Sequence, residues 1–423
     1  MNGALRVGYE GAAHLARALS AIAPSSRNKL VETFAMRRGV VERFEQFTRD
    51  PLRQLLWMHA PSVGEGLQAR PVIELAKYQD PSLQLAYTYF SPSARSFAAT
   101  LPVDFQDVLP FDQSGDMRRA LKALAPTALV FSKLDIWPTL AREAKARGTR
   151  LGLISATMSP GSSRQGSLAS ALLRDAYARV DRVGAISADD ADRLISLGVP
   201  ASRVSITGDT RYDQVWARAH RVPAASRPYA ALASGRPTLV AGSTWPSDEA
   251  VLLPAWMKMR ARSLDARLII APHEPTAPHV DAIEHWAEGA GLRWARLADA
   301  TADADVIIVD RVGVLGDLYA LASVAYVGGA FHAAGLHSVL EPAAFGVPVL
   351  FGPRYADSRD AVLLRDDDAA ISVPDAGALA IALARWLTTP SERKTAGDAA
   401  ALVVHRGLGA AERSYALVKE LLG

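Results

Sequence analysis

From residue 55 onward, short runs of consecutive apolar residues alternate with stretches whose apolar positions recur every three or four residues. The runs LLWMHA (55–60), LQLAYTYF (83–90), TALVFS (127–132) and RLGLIS (150–155) predict strands. The intervening GLQARPVIELAKYQ (66–79), SARSFAATL (93–101) and LAREAKARG (140–148) predict helices. Strands buried on both faces read as unbroken apolar runs, and strand–helix alternation builds a parallel, doubly wound sheet. A second series starts near 237, with PTLVAGST (237–244), ARLIIAPH (266–273), ADVIIVD (304–310), VAYVGGAF (324–331) and VPVLFGP (347–353). Between the two series, Pro223, Pro228, Gly235 and Pro237 mark a linker with an embedded helix. The expected organisation is a helical segment over 1–50, one α/β domain over 51–208, a linker over 209–236 and a second α/β domain over 237–423, with a cleft between the domains. In open α/β sheets ligands bind beyond the carboxyl ends of the strands, so the residues that follow each run are the ones to read.

Composition narrows the picture. A chain of 423 residues suits two domains. The 47 Lys+Arg against 44 Asp+Glu leave only +3, which argues against a dedicated nucleic-acid binder. The absence of cysteine excludes disulfides, thiolate zinc sites, iron–sulfur clusters and a cysteine nucleophile. The charge is uneven: residues 1–50 hold eight basic residues and five acidic ones, the whole surplus of the chain. No apolar run is long enough to span a bilayer, and Arg, Glu and His interrupt any signal-peptide core. Leu15, Leu19 and Ile22 recur at helical spacing with Arg17 off that face. Such a helix either packs on its own domain or lies on an anionic membrane surface.

Several strand ends carry polar residues. In HAPSVGEGLQARP (59–71) a strand ends at His59, a Pro/Ser/Gly turn follows, and Glu65 opens a helix. Glu65 either complements the helix dipole or serves as a general base; Ser62 and Gly64 let backbone amides face a ligand closely. In YTYFSPSARSF (87–97), Ser91 reads as an N-cap with Pro92 at the first helical position, or else as an acceptor contact. In FSKLDIWPT (131–139), Lys133 and Asp135 are a structural ion pair or site residues. In the second series, Ser243 and Thr244 stand where a phosphate would meet free helix amides, and APHEP (271–275) adds His273. The segment YVGGAFHAAGLHSVLEPAAFGVPVLFGP (326–353) carries most information. Gly328 and Gly329 permit close backbone approach, a helix is expected to begin at His337-Ser338, and Glu341 lies one turn inside it. By physical logic this is a nucleotide-sugar pocket: the helix start faces phosphate and the acid accepts ribose hydroxyls. Asp303, Asp305 and Asp366–Asp368 read as solvated charge runs, and no metal is expected. No Walker loop, GxSxG, HExxH or GxGxxG is present.

Taken together, HAPSVGE, LPFD (109–112), the WP of DIWP, TGDTRYD (207–213), AGSTWPSDE, APHEP, LYALASVAYVGG (318–329) and GLHSVLEPAAFGVPVLFGP resemble the Kdo (3-deoxy-D-manno-octulosonic acid) transferases of lipopolysaccharide synthesis, glycosyltransferase family 30. They follow the family's order from about residue 30 to 360. The resemblance implies a GT-B fold: two Rossmann-like doubly wound parallel-sheet domains facing a central cleft, with a C-terminal helix, here within 403–423, returning to the first. It implies CMP-Kdo as donor on the second domain and a lipid A precursor as acceptor on the first, with no cofactor and no metal. The family's catalytic glutamate falls on Glu65. Its GGHN-x-LE segment falls on Leu336, His337, Ser338 and Glu341, so that Glu341 would hold the cytidine ribose and His337 the donor phosphate or sugar. Ser243, Thr244, His273, Gly328, Gly329 and Ser338 would complete the donor site. Ser62, Gly64, Ser91, Lys133, Asp135 and Arg211 would contact the acceptor or support it. Departures are visible: many members carry Glu where this chain has Lys133 and Asp135, Asn where it has Ser338, and a basic PRHPER where it has PHEPTA.

The implied reaction has Glu65 deprotonate an acceptor hydroxyl that displaces CMP with inversion, through an oxocarbenium-like transition state. It would take place on the cytoplasmic face of the inner membrane, with residues 1–50 at the lipid surface. The alternatives are a GT-B glycosyltransferase with another sugar or acceptor, a sugar-nucleotide epimerase of similar build, and a binding paralogue without catalysis.

Overall fold

A computed structural model describes residues 3–22, 24, 28–158, 167–261 and 265–423. The chain divides into two units, residues 1–214 with 408–423, and residues 215–407. The first unit contains β1 (Leu55–His59), β2 (Gln84–Tyr89), β3 (Phe105–Val108), β4 (Ala128–Ser132), β5 (Arg150–Ala156), β6 (Arg182–Ala185) and β7 (Val204–Ile206). They form one parallel sheet in the order β3-β2-β1-β4-β5-β6-β7. Every residue of β1, β2 and β4 is buried, as their continuous apolar runs require. The second unit contains β8 (Thr238–Thr244), β9 (Arg267–Pro272), β10 (Trp294–Arg296), β11 (Val306–Ile308), β12 (Val324–Val327), β13 (Val349–Phe351) and β14 (Ala370–Ser372). Its order is β10-β11-β9-β8-β12-β13-β14, again parallel throughout.

The boundaries differ from the sequence expectation in two places. Residues 209–236 are not a free linker. Thr207, Asp209 and Thr210 are buried in the first unit, while Leu232 joins an apolar cluster of the second with Tyr229 packed against it. Residues 1–50 belong to the first unit. The helix Ala410–Leu422 belongs there too, the returning C-terminal helix that the family resemblance implies. Asp213 accepts the N–H groups of Gly409 and Ala411 at its amino end, and Arg182 pairs with Glu420. Gly152 makes room for Leu421: a Cβ on Gly152 would lie 2.6 Å from the leucine Cδ1.

The N-terminal helix Gly3–Ile22 docks through its polar side. Tyr9 donates to Asp112 at 2.8 Å, Arg17 to Asp116 at 2.8 Å, and Glu10 accepts from Arg142 and Ser114. Val7, Leu15 and Leu19 are left exposed. Four of the eight basic residues of this segment, Arg17, Arg37, Arg43 and Arg49, are spent on partners within the first unit. Arg43 pairs with Asp107, Arg49 binds the Leu124 carbonyl, and Arg37 is buried on the carbonyls of Thr33, Phe90 and Leu109. Burial pulls the Arg37 pKa down to about 9. Arg27 lies outside the described residues, as do the side chains of Arg6, Ile22 and Lys29. No helix among the described residues is long and apolar enough to cross a membrane.

Candidate active site

In the first unit, β1 delivers the chain to Ser62, the N-cap of the helix Val63–Gln79. Ser62 accepts the Gly64 N–H at 3.2 Å, and its hydroxyl donates to Glu65 Oε2. This Ser-to-acid spacing of three is the capping arrangement expected at a helix start. Because β4 lies beside β1 in the sheet, the turn after β4 meets the same helix end. Ser132 donates to the Glu65 carbonyl at 2.9 Å, and Lys133 Nζ stands 3.4 Å from Glu65 Oε1. Lys133 takes a left-handed backbone, φ 65°, which costs a non-glycine residue energy and aims its side chain back at the acid. The Glu65 side chain keeps 20% of its surface, so a substrate hydroxyl can reach it.

Behind Glu65 runs a buried polar chain. Trp57 Nε1 donates to Thr88 Oγ1 at 2.8 Å, and Thr88 Oγ1 lies 2.9 Å from His59 Nδ1. His59 Nε2 lies 3.3 Å from Asp135 Oδ2, which also accepts Trp137 Nε1 at 3.0 Å. Trp137 Nε1 also lies 3.1 Å from His59 Nε2, but here the indole N–H has Asp135 as its acceptor, so every donor is satisfied if the Thr88 hydroxyl gives to Nδ1 and Nε2–H gives to Asp135. Asp135 therefore anchors His59 and Trp137, while Lys133 serves Glu65. Phe90 stacks on Trp137, and the Phe90 and Ser91 N–H groups donate to the Pro61 carbonyl. Ser91 opens the short turn Pro92–Ala94, and its hydroxyl meets Ser93 at 2.8 Å, a helix start rather than an isolated contact. Arg211 binds Asp209, and Thr210 donates to the Gln68 carbonyl, which seats this segment against the helix that carries Glu65. The LPFD motif also gains a meaning. Asp112 accepts the Thr139 and Leu140 N–H groups and so caps the helix that follows Trp137. Burial raises the Asp112 pKa against those bonds.

In the second unit, three imidazoles and an indole assemble after β8, β9 and β12. His273 stacks on Trp245 at 4.8 Å between centroids and His337 on His273 at 4.3 Å; His332 lies on Trp245. Asp248 ties the arrangement together. It is fully buried and accepts Tyr326 Oη at 3.0 Å, Gly329 N at 2.8 Å and Trp245 N at 3.0 Å. Gly328 is required by space, because a Cβ there would lie 2.3 Å from the Ser243 carbonyl oxygen. Ser243 itself is left-handed, φ 53°.

Two expectations change here. Thr244 is fully buried and its hydroxyl donates to Glu249 Oε1 at 2.8 Å, so that side chain is structural. Glu249 in turn is held by His279 at 2.9 Å. The helix after the glycine loop is only Leu340–Ala344, which leaves His337 and the exposed Ser338 in the preceding loop. Five residues give little dipole, so side-chain and backbone N–H groups must supply the positive potential. Glu341 meets Arg218 Nη1 at 3.7 Å, and Arg218 binds Asp317 through two bonds of 2.9 and 3.0 Å. Gly316 allows this approach, since a Cβ there would come within 2.5 Å of Arg218. Burial raises the Glu341 pKa, Arg218 opposes it and Asp317 adds to it.

The charge runs divide. Asp366 and Asp367 are surface partners of Arg365 and Arg406. Asp305, expected in solvent, is buried; against that burial, Arg293, Arg236 and Arg260 hold its pKa at about 2. Among the described residues no cluster of three His, Asp or Glu is placed to hold a metal.

Residues 37–214 match the family described as 3-deoxy-D-manno-octulosonic-acid transferase (kdotransferase). The 3-deoxy-D-manno-octulosonic acid transferase of Bordetella pertussis is 31% identical over 88% of this chain and 89% of its own. The chain belongs to the 3-deoxy-D-manno-octulosonic acid transferase family. The Haemophilus influenzae transferase is 24% identical over 96% of this chain and 94% of its own. Among solved structures, the UDP-GlcNAc 2-epimerase of Neisseria meningitidis superposes with a TM-score of 0.62 at 12% identity, covering 87% of this transferase and 99% of the epimerase. A glycosyltransferase from Rickettsia africae gives 0.56 at 12%, covering 88% and 99%. At such identities the likeness carries the fold alone, the two-domain GT-B fold. The transferase is thus a glycosyltransferase that moves Kdo in lipopolysaccharide core synthesis. Sequence reading of it missed His59, Arg218, Trp245, Asp248, Asp317 and His332. Only Asp248 left a local signal, an acid three residues after the residue that precedes the helix.

Proposed function

We propose that the donor is CMP-Kdo, the acceptor a lipid A precursor, and Glu65 the general base. The observation that supports this most is the setting of Glu65: a partly exposed carboxylate in the first turn of a helix, oriented by Ser62 and Lys133. Glu65 takes the proton of the acceptor hydroxyl, whose oxygen forms the new bond to the anomeric carbon. The bond from that carbon to the CMP phosphate breaks, its electron pair leaves on the phosphate, and the configuration inverts. One carboxylate suffices, because the phosphate leaves without needing a general acid. His337 faces the departing phosphate as a neutral N–H donor, since burial and then the adjacent His273 lower its pKa. Glu341 accepts the ribose hydroxyls, and no step calls on a metal or cofactor. Lys133, Asp135 and Arg211 support the base and the loops around it. We place the reaction at the cytoplasmic face of the inner membrane. The support is the exposed Val7, Leu15 and Leu19 on the N-terminal helix, rather than its arginines.

The test replaces Glu65 by Gln and follows Kdo transfer to a lipid A precursor by product mass. A general base contributes about 10²–10⁴-fold, so turnover should fall by that factor with folding intact. Turnover within a few-fold of the parent would remove Glu65 from the role.

A further inference from the structure

The loop over 328–337 carries an imidazole to which neither the family motif nor the mechanism above gives a role. His332 lies ring to ring on Trp245, with centroids 4.1 Å apart and planes 4° from parallel. Its Nδ1 accepts the Ala334 N–H at 3.0 Å. A nitrogen that accepts carries no proton, so the neutral ring bears it on Nε2. No hydrogen bond engages that Nε2–H among the described residues. The same reasoning fixes His337. The Trp245 indole N–H can only donate, and it reaches His337 Nε2 at 3.2 Å, which leaves the proton on Nδ1. One indole thus orients two imidazoles, one through its face and one through its edge, and each is left with a single N–H to give.

The loop is built to hold that geometry. His332 N donates to the Gly329 carbonyl at 3.0 Å, Gly335 N to the His332 carbonyl at 3.3 Å, and His337 N to the Gly328 carbonyl at 3.1 Å. Gly329, at φ 98°, is tied to Asp248, and a Cβ on it would lie 2.2 Å from the Gly335 carbonyl oxygen. Donors fixed in advance lose little entropy on binding and act most strongly on a ligand that brings negative charge.

We propose that His332 is a donor-site residue, its Nε2–H binding an anionic oxygen of the nucleotide sugar alongside His337. This rests on the assignment of CMP-Kdo to the second unit. Two groups of that ligand have the required chemistry, the phosphate of CMP and the carboxylate of the sugar.

The test uses the full chain and measures the affinity of CMP and of CMP-Kdo by calorimetry for His332→Phe and His332→Gln. Phenylalanine keeps the stack on Trp245 and removes the N–H; glutamine returns an N–H without the ring. His332 is partly exposed, so both variants should fold, as thermal unfolding would show, and either one alone carries the test. His332→Phe should bind CMP-Kdo roughly tenfold more weakly, about the effect of one hydrogen bond to a charged group, with part of the loss restored by glutamine. A matching loss for CMP assigns the contact to the phosphate; a loss for CMP-Kdo alone assigns it to the carboxylate. Unchanged affinity of His332→Phe for both ligands overturns the proposal. His337→Phe separates the two levels. If it too leaves CMP-Kdo binding intact, the donor assignment itself fails; if it weakens binding while His332→Phe does not, only the role of His332 is lost.

Discussion

Asp248 is the residue whose loss should cost the second unit most, and its three partners set the size of the effect. Asp248→Ala leaves the Trp245 N–H, the Gly329 N–H and the Tyr326 hydroxyl unpaired in a buried place. At about 1–3 kcal/mol for each orphaned group, the loss is about 3–9 kcal/mol. Asp248→Asn is gentler. Its amide oxygen can still take both backbone N–H groups, while its Nδ2 turns to the Tyr326 oxygen, which can accept. What disappears is the charge on the acceptor of the two backbone bonds and the acceptor of the Tyr326 O–H, each worth about 1 kcal/mol, so the cost is about 3 kcal/mol. For a unit of roughly 190 residues, each kcal/mol moves the unfolding temperature by about 2–4 °C. The asparagine variant should unfold about 6–12 °C lower and the alanine variant lower again. Tryptophan fluorescence during urea unfolding of the whole chain reads both units, since Trp57 and Trp137 lie in the first and the other six in the second. Only the second unit's transition should move. An alanine variant within about 0.5 kcal/mol of the parent, or an asparagine variant as damaging as alanine, would refute the hydrogen-bond accounting.

Other outcomes follow from the same geometry. Arg218→Met removes the cation that opposes the upward shift of Glu341 beside Asp317 and buried Tyr319. Its pKa then rises further, more of it is protonated at a given pH, and donor KM should worsen at about pH 6 and recover toward about pH 9; a KM ratio to the parent that is flat with pH would contradict this. Gly66→Ala puts a Cβ 2.5 Å from Phe97 Cε1 and 2.8 Å from Tyr87 Oη, and should destabilise the first unit by about 1–3 kcal/mol in urea unfolding; no change would show that the ring yields freely. Leu15→Ser with Leu19→Ser should weaken sedimentation with anionic phospholipid vesicles several-fold while leaving the fold intact; equal binding would detach this helix from any lipid contact.

The nine strand runs read from hydrophobic patterning all lie in the two sheets, and the five strands without such a run have a common cause. β3, β7, β10 and β14 are the four sheet edges and β6 sits next to one. An edge strand is covered on fewer sides, so FQDV or WAR need not be apolar and leaves no pattern to read. The site follows the same division. Ser62 and Glu65 were legible because capping is a relation between near neighbours in sequence. Lys133 reaches Glu65 only because β4 lies beside β1, and His332 reaches Trp245 only because β12 lies beside β8. Neighbourhood across a sheet is set by topology, which spacing along the chain does not encode. Asp305 shows the converse: its polar stretch predicts solvent, whereas Arg236, Arg260 and Arg293 enclose it.

The helix Ala410–Leu422 has a consequence for how the protein is made. Its Leu421 fills the space left over Gly152, and Gln54 reaches the Leu422 carbonyl at 2.6 Å. These residues follow the whole second unit along the chain, yet they complete the unit that precedes it. Residues 215–407 are contiguous and can close their own core while the earlier sheet still waits with its β5 face bare. During synthesis the second unit can therefore close its core before the first, which stays incomplete until residues 410–422 have emerged. A ribosome that stalls before codon 410 would release a chain with one finished half and one exposed apolar seam.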